Sequence, residues 1–330
     1  MTTMKTVTMR TKPQLHVYTP TYKHAEAAIN AGVKHISVNG PALGLRSEQA
    51  NLTWEQIEEL RQNYPDSHIY LRLNTVMHNN DLALVAEMLT KAKSIGIAGI
   101  VYTDTAILQL TKKLGISFKM LLETETTVTN IEMIRFWNQQ GVSNFLLSRE
   151  LSIEQIMEMI NRKQALDIAE DIQISIQIHG PVGIFHTLRS VLSNYDRYVA
   201  EIGEGLALDE KEPHNKSSMN SDFTLVEEMR PEESYRVIED TRGTYIFSAY
   251  DISLYEYLPD LLTADIEFLK IDIFNSQTVE SMVGIIKFYV KAINEYDDGN
   301  FSVRADWQEY LQSINQYPIQ NQFIKTGAPQ

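Results

Sequence analysis

A (β/α)8 barrel of the TIM-like type, with a long insertion between its seventh and eighth strands, is the fold this 330-residue sequence predicts. Three observations point there. Short β-rich runs alternate with amphipathic helical patterns along the chain. Eight such runs precede the C-terminal region. Hydrophobic residues make up 43%, enough for one large α/β core. A doubly wound open sheet is the competing architecture, and an antiparallel α+β fold with a solvated sheet face is the blander one.

The strands are read at Leu15–Thr19, His35–Asn39, His68–Asn74, Ile100–Thr103, Ser117–Glu123, Asn144–Ser148, Ile172–Ile178 and Phe268–Asp272. Helices fall between them. Thr53 and Ser152 stand as N-caps ahead of "WEQIEEL" and "IEQIMEMI". Gly32, Gly96, Gly115 and Gly141 follow helical patterns where a left-handed C-cap is expected. The seventh and eighth strands are separated by far more than an ordinary βα loop. That segment holds the polar stretch 209–222 and "GTYIFSAYDISLYEYL", an extra strand leading into a helix. The expected organisation is an extension over residues 1–14, one barrel domain over 15–296 with residues 180–239 inserted over the mouth, and a tail over 297–330. The tail is rich in Asn, Gln and Tyr, lacks strong periodicity, and is expected to dock on the barrel or on a partner.

Composition excludes several functions. The net charge is -14 and the pI about 5.1, so the chain does not offer the basic face of a non-specific nucleic-acid binder. It contains no cysteine, hence no disulfide, thiolate metal site or cysteine nucleophile of its own. The first residues form no apolar signal segment, and no apolar run nears the roughly 18 residues of a membrane span. The expected location is the cytoplasm, with no membrane contact.

In "IQISIQI" the isoleucines share one face, and Gln173, Ser175 and Gln177 the other. In a barrel the apolar set faces the helices, so the polar set and then His179 face the lumen. The same alternation places Tyr70, Arg72 and Asn74 together, Lys119 with Glu123, and Lys270 with Asp272, while Tyr18, Ser37 and Asn39 add polar groups. Most such lumens are filled with branched aliphatics. A charged lumen must pair its charges, with Arg72, Lys119 and Lys270 set against Asp104, Glu123 and Asp272. Such a network can be structural only.

No G-x-S-x-G, H-E-x-x-H, Walker or G-x-G-x-x-G pattern is present. His179 and His186 are seven apart in "HGPVGIFHTLRSVLSN", read as a loop, and make no metal motif. No metal site is expected, and His186 reads as a surface residue. Glu123, Glu125 and Glu150 lie near strand ends, where acid–base carboxylates are placed in barrels. The alternative reading of Glu150 is a residue ahead of a helix N-terminus that favours its dipole. "NTVMHNND", with Asn74 and His78, is a polar strand-to-helix loop whose alternative reading is a helix cap at Asn79 or Asn80.

In chain order, "LGLRS", "LNTVMHN", "ETETTVTN", "LLSRELS", "IQIHGPVG", "RSVLSNY", "EDTRGTYIFSAYDISL" and "LKID" resemble the collagenase-like peptidases, family U32. The likeness runs from about Leu15 to Asn294. Among family members it is similar to the short forms linked to tRNA hydroxylation in Gram-positive bacteria. The family fold implied is a TIM-like barrel. Its signature places cysteines after His-Gly in a C-x4-G-x-C-x-[LIVM]-S pattern. Here Gly183 and Ser190 stand at the cysteine positions, Leu188 at the glycine, and Ser193 at the serine. The acid before His-Gly falls at Ser175, and the K-I-E-G-R ending is reduced to "KIDIF".

The resemblance implies a subunit without an iron–sulfur cluster, paired with a cysteine-containing paralogue that carries one. It implies wobble-uridine hydroxylation of tRNA reached through that complex, with prephenate as co-substrate. His179, Glu125 and His78 are the candidate catalytic residues; Arg72, Asn74, Arg149, Lys270 and Asp272 are the candidate substrate-binding residues. A genuine peptidase and a non-catalytic scaffold are the alternatives. The first lacks a visible activated nucleophile.

Overall fold

The computed structural model describes residues 12–45, 51–166, 168–202, 223–321 and 324–325. The polar stretch 209–222 and most of the N-terminal extension lie outside them. Seven strands follow in sequence and in space: β1 (Gln14–Tyr18), β2 (His35–Asn39), β3 (His68–Leu73), β4 (Gly99–Tyr102), β5 (Lys119–Leu122), β6 (Asn144–Leu146) and β7 (Gln173–Thr187). The last barrel strand, β11 (Phe268–Ile271), pairs in parallel with both β1 and β7 and closes the ring. The protein is thus an eight-stranded parallel barrel with surrounding helices, a TIM-like α/β fold.

Local sequence explains the regularity. Helices α2 (Trp54–Asn63) and α6 (Ile153–Gln164) open with full capping boxes, Thr53 with Gln56 and Ser152 with Gln155. Helices α1 (Tyr22–Asn30), α3 (Leu82–Ser94), α4 (Thr105–Leu114) and α5 (Ile131–Gln139) fill the remaining early crossovers. The four expected stop glycines all take positive φ. Isoleucines at 36, 69, 100, 174, 176 and 178 join one cluster with the helix faces. A separate, smaller cluster of Tyr70, Val101, Leu121, Leu146 and Phe268 fills the lower lumen, with His16 packed on Tyr70 and Phe268.

The segment "HGPVGIFHTLRSVLSN" is not a loop. β7 runs on past the barrel to Thr187 and pairs antiparallel with β10 (Gly243–Ser253). β10 pairs with β9 (Arg230–Asp240), which pairs with β8 (Phe223–Glu227). Helix α7 (Val191–Ile202) follows β7. The extra strand expected at Gly243 is β10, which leads into α8 (Leu258–Thr263). The resulting antiparallel arm stands against the barrel mouth. A second apolar cluster of Leu45, Ile238, Tyr245, Phe247 and Phe274 joins arm to barrel. Arg242, in the β9–β10 turn, binds Asp81 before α3 with two nitrogens at 2.8 and 2.9 Å.

The chain beyond α9 (Val279–Asp297) is more ordered than its composition suggested. It forms α10 (Ala305–Ile314), whose Trp307 and Leu311 are buried. Ile319 then bridges to Asp251 on β10.

Candidate functional site

At the C-terminal end of the lumen, charged side chains from four different strands and their following loops meet out of water. Glu123 accepts from Lys270 at 2.5 Å, and from Arg72 and Arg149 at 3.4 Å each. Asp272 lies 3.4 Å from Arg149, 3.6 Å from Lys270 and 3.8 Å from Arg72. Arg149 also reaches Glu125 at 3.3 Å. Three cations therefore face three carboxylates, and the Arg72 guanidinium rests 4.0 Å over the Tyr18 ring. Burial works against the Glu123 carboxylate, yet Lys270, Arg72 and Arg149 outweigh it and hold its pKa below the usual range. Burial likewise dominates at Lys270 and lowers its pKa, although Glu123 and Asp272 oppose that.

Two members expected in this network stand elsewhere. Lys119 lies at the other end of the lumen and pairs with Glu267 at 2.5 Å. Asp104 caps α4 through Ala106 N–H and accepts from Met77 N–H. Arg149 takes the third cationic place. Arg72 and Lys270 are fully buried, so in this structure they contact carboxylates of the chain and are sealed from the mouth. Asp272 is sealed in the same way.

Above the network lies an open cleft of about 330 Å³. Asn74, Thr75 and Val76 after β3, Thr103 after β4, and Thr124, Glu125 and Thr126 after β5 line one side. Gly183, Ile184, Phe185 and His186 of β7, with Tyr245 and Phe247 of β10, line the other. Asn74 is anchored, its Oδ1 accepting from Leu45 N–H and its carbonyl from the Thr103 hydroxyl. Glu125 links the two levels. Oε1 accepts from Arg149, while Oε2 lies towards Gly183, where an added Cβ would come within 2.8 Å of it. Glu125 has φ 64°, a left-handed conformation that costs a non-glycine residue about 1–3 kcal/mol and concentrates at functional sites. His186 stacks flat on Tyr245, centroids 4.4 Å apart at 4°.

His179 is not in the lumen. A bulge between β7 and β11 pairs Lys270 with Gln177 but Ile271 with His179. The extra residue, Ile178, shifts the alternation, so His179 shares the outward face of Ile271. Its ring bonds Asn315 at 3.2 Å and Tyr289 at 3.4 Å, and burial lowers its pKa. Asn315 in turn donates to Asp251, which pairs with Arg236 at 2.9 Å. The following Gly180 is required by contact: at φ 114° a Cβ would lie 2.0 Å from the Asp272 carbonyl oxygen. His78 is exposed ahead of a short 3-10 turn, its N–H donating to Asp81, and it does not line the cleft.

Thr75, Thr124, Phe185, Tyr245 and Phe247 were not singled out from sequence. Their cleft exists only because β7 continues as a strand, and the alternation in "GTYIFSAY" was the available signal. Glu150 is exposed at the turn before α6.

The donor set does not fit an iron–sulfur cluster. Gly183 offers no side chain, Glu125 lies beside it, and the chain has no thiolate. Among the described residues no group of three His, Cys, Asp or Glu is placed to hold a metal ion. Among them, too, no helix is long and apolar enough to cross a membrane.

Among curated proteins, the chain is 28% identical over 262 residues to tRNA hydroxylation protein P2 of Bacillus subtilis, covering 78% of each chain. It is 25% identical over 305 residues to tRNA hydroxylation protein P1 of the same organism, covering 91% of this chain and 68% of that one. Collagenase of Porphyromonas gingivalis is 23% identical over 302 residues, covering 89% and 69%. The model of Peptidase family U32 matches residues 20–330, and with its barrel and its motif order this chain belongs to that family.

Proposed function

We propose that this chain is a cluster-less subunit of a cytoplasmic tRNA wobble-uridine hydroxylation system, acting with a cysteine-containing paralogue of the same family that carries an iron–sulfur cluster. The observation that carries the proposal is the open cleft at the C-terminal mouth, where barrel enzymes place their sites, in a chain without thiolates. The relatives named tRNA hydroxylation proteins support the substrate class. In this reading tRNA is reached through the complex, and the acidic chain leaves most phosphate contacts to its partner. Prephenate is the proposed co-substrate. Its carboxylates fall to the partner's side, since Arg72 and Lys270 are committed to Glu123 and Asp272 here. Within this chain, Glu125 contacts the substrate, and Arg149 and Asn74 orient the groups around it. Arg72, Lys270 and Asp272 hold Arg149 in place.

The test is co-purification with a cysteine-containing paralogue, followed by nucleoside analysis of tRNA from a strain lacking this chain. Unchanged wobble-uridine hydroxylation would defeat the proposal. A non-catalytic scaffold for that paralogue is the second reading. It is favoured by the run of exposed apolar residues Ile184, Phe185, Leu188, Val191, Tyr195 and Tyr198 on β7, α7 and the turn between them. Peptidase activity is not favoured, because no activated Ser or Cys nucleophile stands at the cleft.

A further inference from the structure

We infer that the outer edge of β8 takes the basic segment Lys5–Thr11 of a second copy of this chain as an added strand. The inference stands apart from the tRNA reading and starts from a surface that lacks a cover. β8 ends the sheet order and, among the described residues, pairs with β9 alone. β9 meets β10 only from Arg236 onward, so the part before it is a two-stranded ribbon. Such a ribbon is marginal in water without a third strand or a packed face. Every residue from Thr224 to Glu232 is exposed, with Leu225 at 43%, Val226 at 54% and Met229 at 87%. Edge strands are commonly blunted by lysine or proline, and β8 has neither. An edge of backbone N–H and C=O groups beside exposed apolar side chains is what strand addition uses.

Charge selects the strand. Between Phe223 and Glu233 stand Glu227, Glu228, Glu232 and Glu233 against one cation, Arg230, which pairs with Glu233 at 3.7 Å. Pairing β8 with β8 of another copy would bring these acids together, and like charges across strands repel. The same acids repel a nucleic acid. A basic segment prone to extended structure is the complement, and this chain carries one. Lys5, Arg10 and Lys12 precede the first acid, Glu26, in a chain whose net charge is -14. "KTVTMRT" is rich in β-branched residues and contains neither Gly nor Pro. Strand alternation sets Val7 and Met9 on one face, to cover an apolar side chain of β8, and leaves Lys5 and Arg10 to meet Glu227 and Glu228. Residues 1–11 themselves lie outside the described residues. The segment joins the barrel at its floor, where Lys12 pairs with Asp297 at 2.7 Å and Gln14 N–H donates to the Glu267 carbonyl. β8 belongs to the arm at the mouth. With Lys5–Met9 along β8, only Arg10 and Thr11 remain to bridge, about 10 Å at full extension and less than one barrel strand. The chain's own β8 is therefore out of reach. Two copies with antiparallel barrels bring each floor beside the other's arm and close the assembly.

The experiment follows the full chain by sedimentation velocity and by hydrogen exchange over 223–227. The chain should form a concentration-dependent dimer in which β8 is protected, and raised salt should weaken it. Lys5→Glu with Arg10→Glu should weaken the dimer about tenfold, since two exposed pairs turn from attraction to repulsion, and should speed exchange over β8. Adding Glu227→Lys and Glu228→Lys should restore both. Glu227 and Glu228 are exposed and β1 starts only at Gln14, so the melting temperature should stay near the parent's throughout. A chain that stays monomeric at every concentration, a β8 whose exchange ignores Lys5→Glu with Arg10→Glu, or a reversed set that restores nothing overturns the inference. So does protection of β8 by the segment within a monomer, or protection that arises only when a different protein is added.

Discussion

Lys270 Nζ lies 2.5 Å from Glu123 Oε2 across the lumen, joining the last barrel strand to the end of the fifth, and both side chains are fully buried. Removing one partner strands the other charge out of water. Lys270→Met or Glu123→Gln alone should therefore cost about 3–5 kcal/mol. The double variant should recover part of that, because no charge is then left unmatched within the pair. Denaturant unfolding of the four proteins measures the coupling. Strictly additive losses would mean that the pair is not the unit holding the lumen together.

The lumen also predicts a pH dependence. His16 is fully buried, and burial, then the Lys270 charge, pushes its pKa well below the usual value. Burial and neighbouring His68 lower His35 to about 4. Lys119 and Lys34 act on His35 in the same direction, while at His16 Arg72 adds to the lowering and Asp272 opposes it. The unfolded chain takes up these protons near pH ~6.5, so below that it binds more than the native state does. Stability is full above ~6.5 and falls as pH drops towards the folded values. Glu123, whose folded pKa is depressed, adds its loss only below the ordinary carboxylate range. Thermal melts from pH 7.5 to pH 4 should show the decline, and His16→Phe should flatten it. Among the described residues neither ring nitrogen of His16 has a hydrogen-bond partner, so the phenyl ring forfeits none there. A variant curve parallel to the parent's would rule out His16 as a contributor.

His179 ties three segments together. Through Asn315 it holds the C-terminal segment, through Tyr289 it holds α9, and it sits where β7 leaves the barrel. His179→Ala should raise proteolytic cleavage and hydrogen exchange within 305–321 and lower stability by about 1–3 kcal/mol. Asn315→Ala should do the same. If His179→Ala abolishes wobble hydroxylation while exchange over 305–321 is unchanged, the residue acts at the substrate and not through the tail.

How much of this was legible follows from the range of each interaction. The barrel strands and the caps at Thr53 and Ser152 depend on neighbours in sequence, and their periodicity and spacing carry them. Period-two alternation likewise brought Arg72, Glu123, Lys270 and Asp272 to one lumen. His179 was misplaced because a single extra residue, Ile178, reverses every side chain after it, and nothing local in "QIHG" announces a bulge. Gly180, Pro181 and Gly183 made the continuation of β7 look like a loop. Its strand pairing depends on β10, whose Ser253 meets His179 across a long excursion of chain. Asn315 was invisible for the same reason, since its partners His179 and Asp251 are remote in sequence.

Restoring cysteines at the two signature positions should not restore a cluster. Gly183→Cys would place its Cβ against Glu125 Oε2, and Ser190 lies outside the cleft lining. Two thiolates also fall short of the four such clusters take. After anaerobic reconstitution the double variant Gly183→Cys, Ser190→Cys should stay colourless and hold less than stoichiometric iron. A stable iron–sulfur absorption spectrum on this chain alone would show that the site is closer to the family's pattern than its geometry indicates.

The cleft wall depends on a contact far from its chemistry. Arg242 grips Asp81 with two nitrogens, a bidentate pair between the β9–β10 turn and the start of α3. Hydrogen bonds from Arg242 and from His78 N–H hold Asp81 below the usual carboxylate range against partial burial. The apolar cluster around Tyr245 and Phe247 and the contacts of Asp251 with the C-terminal segment anchor the arm as well. Arg242→Gln should therefore leave the barrel intact while lowering the local opening free energy of β9 and β10 by about 1–3 kcal/mol. Hydrogen exchange read by mass spectrometry should show faster exchange over 230–253 with unchanged protection in β1 to β6. Asp81→Asn should act in the same direction but less strongly, because an amide oxygen still accepts one of the two bonds. Since β10 carries Tyr245 and Phe247, which line the cleft, wobble-uridine hydroxylation should weaken in step with the arm's protection. Exchange over 230–253 that matches the parent's would show that the Arg242–Asp81 pair does not hold the wall.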